Sequence, residues 1–105
     1  FAAVINLAGA IYNEDWIDAE EAPMFAVHGT NDDVVPYDEG EFFSGVVDFD
    51  TYGSKKIIER MDEIGIPTGF ITIDNGDHDS PIEDYFNYNL EMKQFLYEYV
   101  SSTIN

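Results

Sequence analysis

Three apolar runs constrain the fold of this chain more than any other feature. They cover residues 2–11, 23–28 and 69–74, and the segments between them are polar or irregular. Short apolar runs that contain Val and Ile are typical of strands buried on both faces of a parallel sheet. We therefore expect three strands, with Pro23 tolerated because it stands at the first position of the second strand.

A helix is predicted over 54–64, between the second and third strands. Apolar residues recur there at i, i+4 and i+7, which places them on one side of a helix. They are Ile57, Met61 and Ile64. Gly65 and Pro67 follow and supply a stop signal.

The chain is expected to end in a second helix that runs to about Val100. Ser80, Pro81 and Glu83 form a capping-box pattern, with Ser80 as the N-cap. The apolar residues expected on its buried side are Ile82, Phe86, Leu90, Phe95, Leu96 and Val100.

This order of elements predicts an α/β fold: a partial parallel sheet of about three strands with crossover helices, in one domain over 1–105. Segment 37–53 is expected to be irregular. Such a thin sheet would leave an edge exposed. The chain also opens directly on a buried strand, so we expect it to be part of a larger domain.

Charge and composition exclude several classes of partner and site. The chain has 22 acidic residues against four basic ones, a formal net charge of −18. Nucleic acids and anionic membranes would repel it. It has no cysteine, which excludes disulfides, thiolate metal sites and a cysteine nucleophile. The sequence shows no signal peptide, so the location is undetermined, although the acidity favours an extracellular or periplasmic protein.

Polar clusters follow two of the predicted strands. Asp32 and Asp33 come after the second strand, and residues 77–79 (Asp-His-Asp) come after the third. Ligands and catalytic groups of open α/β sheets gather beyond the carboxyl ends of the strands. A carboxylate of the first cluster and His78 can therefore meet in a hydrogen bond, which would fix the imidazole tautomer for general base catalysis.

Two of these segments resemble a known family. "HGTNDDVVP" (28–36) resembles the catalytic-acid loop of α/β-hydrolase-fold serine carboxylesterases, and "ITIDNGDHDSP" (71–81) resembles their histidine loop. "YGSKKIIERMDEIGIP" (52–67) is similar to the segment between these loops in secreted bacterial members. The resemblance implies the C-terminal half of that fold, with Asp32 as the catalytic acid and His78 as the catalytic histidine. It implies no metal or organic cofactor.

The family's nucleophile motif, Gly-x-Ser-x-Gly, is absent from the chain. The resemblance therefore implies that a parent enzyme, an esterase or lipase acting on a small ester, carries the serine upstream of this chain. The partner would then be the missing N-terminal half. In the alternative interpretation, the chain is a non-catalytic α/β module that associates with a second copy of itself through its sheet edge.

Each candidate residue also has a structural interpretation. Asp32 and Asp33 fit ordinary turn chemistry, and His78 between two acids fits a surface histidine. His28 is predicted to be structural, holding the acid loop by hydrogen bonds. The cluster 74–79 superficially suggests a divalent cation, but it lacks the spacing of a calcium-binding loop. Five aromatic residues, candidates either for an acyl pocket or for satellite core, are Trp16, Phe42, Phe43, Phe49 and Tyr52.

Overall fold

The structure is a computed structural model that describes residues 3–11, 17, 22–41 and 50–104, with side chains described through residue 99. Its strands are β1 (Val4–Leu7), β2 (Met24–Gly29), β3 (Glu39–Glu41), β4 (Asp50–Tyr52) and β5 (Thr68–Ile73). Its helices are α1 (Ser54–Glu63), α2 (Ser80–Glu83) and α3 (Tyr85–Ile104).

The main sheet has three parallel strands in the order β1-β2-β5. Met24 of β2 is in register with Val4 on one side and Thr68 on the other. All three strands therefore run in the same direction, and β2 and β5 end side by side at Gly29 and Ile73. The predicted α/β class with a three-stranded parallel sheet is confirmed.

Helices cover both faces of the sheet. Ile57 and Met61 of α1 form one apolar cluster, against which Met24 packs. Phe25 and Val27 of β2 pack with residues of α3 in a second cluster. Neighbouring side chains of β2 thus point to opposite faces, which is why this strand reads as a continuous apolar run.

β1 differs from the prediction. It covers only Val4–Leu7 of the apolar run 2–11, and Ile5 and Leu7 leave 36% and 42% of their surface exposed. In the described part of the chain β1 pairs with β2 alone, so it is an edge strand. The prediction that it is buried on both faces is wrong: on the face where α3 covers Phe25 and Val27 of β2, their register partners Ile5 and Leu7 stay exposed.

Segment 37–53, predicted to be irregular, contains two short strands. β3 and β4 pair antiparallel, with Gly40 opposite Thr51. Tyr52 also forms a bridge with Ile11. Three-residue strands that contain acids and glycine carry little β-propensity, so the pairing depends on tertiary contacts.

The C-terminal helix is divided into α2 and α3 by a turn at Asp84. The N-cap of α2 is Asp79, without a side-chain capping bond, so the predicted capping box with Ser80 at the N-cap is wrong. Asp77 does the capping instead: its Oδ1 accepts hydrogen bonds from the backbone N–H groups of Asp79 and Ser80, at 3.0 and 3.1 Å.

The buried side of α3 also differs from the prediction. Tyr88 and Phe95 lie in the core, whereas Ile82, Phe86 and Leu90, predicted to be buried, are among the most exposed large apolar residues. Leu96 is half-buried, and the side chain of Val100 lies outside the described ones. Phe86 and Phe95 both lie in α3 and are separated by about two and a half turns, so they point to opposite sides of the helix. The side that carries Tyr88 and Phe95 packs on the sheet, and of the predicted set only Phe95 is fully buried.

Candidate functional site at the ends of β2 and β5

Two loops meet beyond the carboxyl ends of β2 and β5: an acid loop (residues 30–36) and a histidine loop (residues 74–79). The N–H of Thr30 donates to the carbonyl of Ile73 at 3.0 Å, and the N–H of Asn31 donates to the carbonyl of Gly76 at 2.8 Å. In return, the N–H of Asn75 donates to Oγ1 of Thr30 at 2.8 Å. These bonds hold the two loops in a defined position relative to each other.

Asp32 is fully saturated with hydrogen bonds in the acid loop. Its side chain has no exposed surface. Oδ1 accepts the backbone N–H groups of Val34 and Val35 at 2.8 and 2.9 Å. Oδ2 faces two imidazoles, Nδ1 of His78 at 2.8 Å and Nε2 of His28 at 3.1 Å. Four donors therefore fix both oxygens of one buried carboxylate.

His78 presents opposite edges to the protein and to solvent. Because a carboxylate only accepts hydrogen bonds, Nδ1 of His78 carries the proton in its 2.8 Å bond to Asp32. In the neutral imidazole Nε2 then carries the lone pair. Among the described residues no hydrogen bond reaches Nε2, and 38% of the side chain is exposed. This tautomer is the one that a general base requires.

His28, at the end of β2, is fully buried. Its Nε2 lies 2.9 Å from the carbonyl oxygen of Val35 and 3.1 Å from Oδ2 of Asp32. Its ring also contacts Tyr37 edge-on, at a centroid distance of 5.7 Å. Burial lowers the pKa of His28, although the hydrogen bond to Val35 and the charge of Asp32 oppose this effect. His28 is thus neutral at pH 7 and holds the acid loop by hydrogen bonds, as predicted.

The first turn of α1 is hydrogen-bonded to the backbone that follows the acid loop. Backbone N–H groups of Gly53 and Lys55 donate to the carbonyls of Asp38 and Tyr37, respectively. A Cβ at Gly53 would lie 1.7 Å from the carbonyl oxygen of Pro36, so only glycine fits there. The carbonyls of segment 36–38 therefore satisfy N–H groups at the N-terminus of the helix.

The remaining candidate residues lie in the same two loops. Asp33 and Asp79 are exposed, and Asp77 caps α2. Within the described residues no group of three or more His, Asp or Glu side chains is arranged to hold a metal ion.

The predicted acyl-pocket residues fall almost entirely outside the described part of the chain. Trp16, Phe42, Phe43 and Phe49 lie outside it, and Tyr52 is half-buried in β4. An open cavity of about 410 Å³ lies between β1 and α1, lined by Val4, Asn6, Ile57 and Met61 among others. Neither Asp32 nor His78 lines this cavity.

Sequence reasoning missed one polar residue next to the site. Ser54, the first residue of α1, is fully buried, and its Oγ lies 2.7 Å from Nδ1 of His28. The sequence marks Ser54 only as a polar residue at the start of a helix, a common place for serine. The partner lies 26 positions earlier in the chain, and no local pattern predicts that contact.

The described helices include none long and apolar enough to cross a bilayer. In comparisons with protein-family models, curated proteins and solved structures, no match to this chain was found. What the structure establishes is an α/β fold that joins Asp32 and His78 at the carboxyl edge of a parallel sheet.

Proposed function

We propose that this chain supplies the acid and the histidine of a Ser-His-Asp ester hydrolase, as the C-terminal half of an α/β-hydrolase domain. The observation that carries the proposal is the 2.8 Å bond from Nδ1 of His78 to Oδ2 of Asp32. Four donors hold the carboxylate of Asp32 in place. The Nε2 lone pair of His78 then lies on the exposed edge of the imidazole, directed away from that carboxylate.

In the proposed reaction, Nε2 of His78 takes the proton of a serine hydroxyl as that oxygen attacks the ester carbonyl. Asp32 stabilises the imidazolium that forms and keeps its orientation. His78 then returns the proton to the leaving alcohol, and water cleaves the acyl-enzyme by the same general base step. The substrate class is a small carboxylic ester.

The nucleophile belongs to a segment outside these 105 residues. None of the five serines stands in a Gly-x-Ser-x-Gly motif. Ser54 is bonded to His28, and Ser80 is bonded to Asp77. Ser44 and the side chains of Ser101 and Ser102 lie outside the described part.

The test is intact-mass analysis of the protein recovered natively from its source, with a p-nitrophenyl acetate assay and fluorophosphonate labelling. We expect a longer polypeptide, or a tightly bound second one, that is labelled on a serine. In that species His78→Gln should reduce turnover about 10⁴-fold or more. Asp79→Asn, which removes a charge from the neighbouring residue, is the control and should leave turnover nearly unchanged. Full activity in His78→Gln, or no labelled serine, would contradict the proposal.

The exposed apolar residues favour a second candidate, a non-catalytic module that self-associates. Phe86 on α3 is 88% exposed, and Ile5 and Leu7 are exposed on the edge strand β1. Sedimentation of the 105-residue chain at high salt, which screens its negative charge, would then show a stable dimer that Phe86→Glu or Leu7→Glu weakens. A monomer under these conditions removes this candidate.

A further inference from the structure

The start of α1 and the end of β2 bury two polar side chains against each other. Ser54 and His28 both have no exposed surface. Buried polar groups are costly unless they are hydrogen-bonded. Every polar atom of the two side chains has a described partner at 2.7 to 3.3 Å.

The partners of His28 determine its tautomer. The backbone N–H of Ser54 can only donate, and it lies 3.3 Å from Nδ1, so Nδ1 accepts. The carbonyl of Val35 can only accept, and it lies 2.9 Å from Nε2, so Nε2 carries the proton. The hydroxyl of Ser54, 2.7 Å from Nδ1, is therefore a second donor to that nitrogen.

In this tautomer the Nε2–H group is shared between the carbonyl of Val35 and Oδ2 of Asp32. The same Oδ2 accepts the Nδ1–H group of His78. In the opposite tautomer, the lone pair of Nε2 would face two oxygen atoms and Nδ1–H would face a donor. The hydroxyl and amide of Ser54 thus favour the form of His28 that donates to Asp32.

We infer that Ser54 is a positioning residue for the Asp32–His78 pair and acts through His28. The hydroxyl of Ser54 joins its backbone N–H in donating to Nδ1 and so anchors the His28 ring in the Nε2–H form, whose proton orients Oδ2 of Asp32 toward His78. No proton moves along this chain of bonds. Any effect of Ser54 on catalysis rests on the proposed function, but its effect on the position of His28 and Asp32 depends only on contacts within the described residues.

The test uses long-range ¹H–¹⁵N NMR on the 105-residue chain to determine which ring nitrogen of each histidine carries the proton. In the wild type we expect His28 protonated on Nε2 and His78 protonated on Nδ1. In Ser54→Ala, the Nδ1–H of His78 should exchange with solvent about fivefold faster, the factor for one net hydrogen bond. The control is Thr51→Val, which removes another buried hydroxyl, one without a hydrogen-bond partner among the described residues. It should leave the His78 signal unchanged.

Two variants of His28 complete the experiment. His28→Gln keeps an amide N–H that can reach Asp32, and it should preserve the His78 signal better than His28→Leu, which has no donor. Wild-type His28 protonated on Nδ1 would overturn the inference without any variant. Unchanged exchange at His78 in folded Ser54→Ala and His28→Leu would also overturn it.

The same variants separate this inference from the proposed function. In the serine-bearing parent, Ser54→Ala should lower kcat more than it changes KM, because it alters orientation and not substrate contact. If the NMR result holds but no ester hydrolase is found, the proposed function fails and the positioning role stands. If the NMR result fails while His78→Gln abolishes hydrolysis, the positioning role fails and the proposed function stands.

Discussion

Gly29 and Gly76 approach each other so closely that a Cβ on Gly29 would lie 2.3 Å from the carbonyl oxygen of Gly76. Gly29 ends β2, and Gly76 lies in the histidine loop. The carbonyl of Gly76 also accepts the N–H of Asn31 from the acid loop. The contact between two backbones therefore sets the separation of the loops that carry Asp32 and His78.

Gly29→Ala should push these loops apart. The added methyl group meets backbone atoms that cannot rotate away, so we expect the free energy of unfolding to fall by roughly 1–3 kcal/mol. The bond between His78 and Asp32 should weaken with it. Urea denaturation and the Nδ1–H signal of His78 measure the two effects.

The control for that variant is Gly40→Ala. A Cβ at Gly40 would lie 3.5 Å from side-chain atoms of Pro36, an ordinary contact. Equal effects of the two substitutions would show that the approach of Gly29 to Gly76 is not a constraint.

Asp32→Ala should be more damaging than Asp32→Asn. Alanine leaves the N–H groups of Val34 and Val35 without their acceptor and leaves His28 only the carbonyl of Val35, which we expect to lower the free energy of unfolding by roughly 3 kcal/mol or more. Asparagine keeps one acceptor oxygen for the N–H groups of Val34 and Val35, so its loss should be smaller. Chemical denaturation of both variants checks this order, and a harmless Asp32→Ala would contradict it.

Stability should depend on the protonation of His28. Burial lowers its pKa below the ordinary value of 6.5. As the pH falls below 6.5, the unfolded chain takes up a proton at this residue before the folded chain does. The contribution of neutral His28 is therefore full above pH 6.5 and is lost as the pH falls through the lower pKa of the folded state.

Melting temperatures between about pH 7.5 and 5.5 test this dependence. The wild type should lose more stability over this range than His28→Gln, which has no titrating group at that position. Parallel curves for the two proteins would mean that His28 does not titrate differently in the folded chain.

Tyr88→Phe should loosen the junction between α2 and α3. The buried hydroxyl of Tyr88 donates to the carbonyl of Pro81, and its loss should lower the free energy of unfolding by about 1 kcal/mol. Tyr97→Phe, at an exposed position of the same helix, is the control and should have almost no effect. Thermal unfolding of both variants gives the comparison.

The pKa of the Tyr88 phenol is raised above 10.0, first by burial and then by neighbouring Tyr85 and Asp84. The unfolded tyrosine loses its proton first as the pH rises. The stabilisation by Tyr88 is thus complete below pH 10 and is lost as the pH climbs through the folded pKa. A steeper alkaline loss of stability in the wild type than in Tyr88→Phe, followed by circular dichroism, is the expected result.

Local patterns were sufficient to locate the main elements and the two polar clusters, and the resemblance of the acid loop singled out Asp32. β2, β5 and α1 begin and end within one residue of their predicted bounds. The parallel order of the strands places Asp32 and His78 at one edge of the sheet, because parallel strands end on the same side. Their hydrogen bond also depends on the bonds between the two loops, such as Asn31 N–H to the carbonyl of Gly76, which local patterns do not show.

The tertiary structure alone decided which surfaces are covered and what lies behind Asp32. Apolar run 2–11 does not reveal that β1 is an edge strand, since that depends on which elements lie beside it. Both sides of α3 carry aromatic residues, and only its packing on β2 decides that Tyr88 is buried and Phe86 exposed. The contact of Ser54 with His28 joins residues 26 apart, and only the packing of α1 against β2 brings them together. Periodicity and turn chemistry are local, whereas burial and buried polar pairing are properties of the assembled fold.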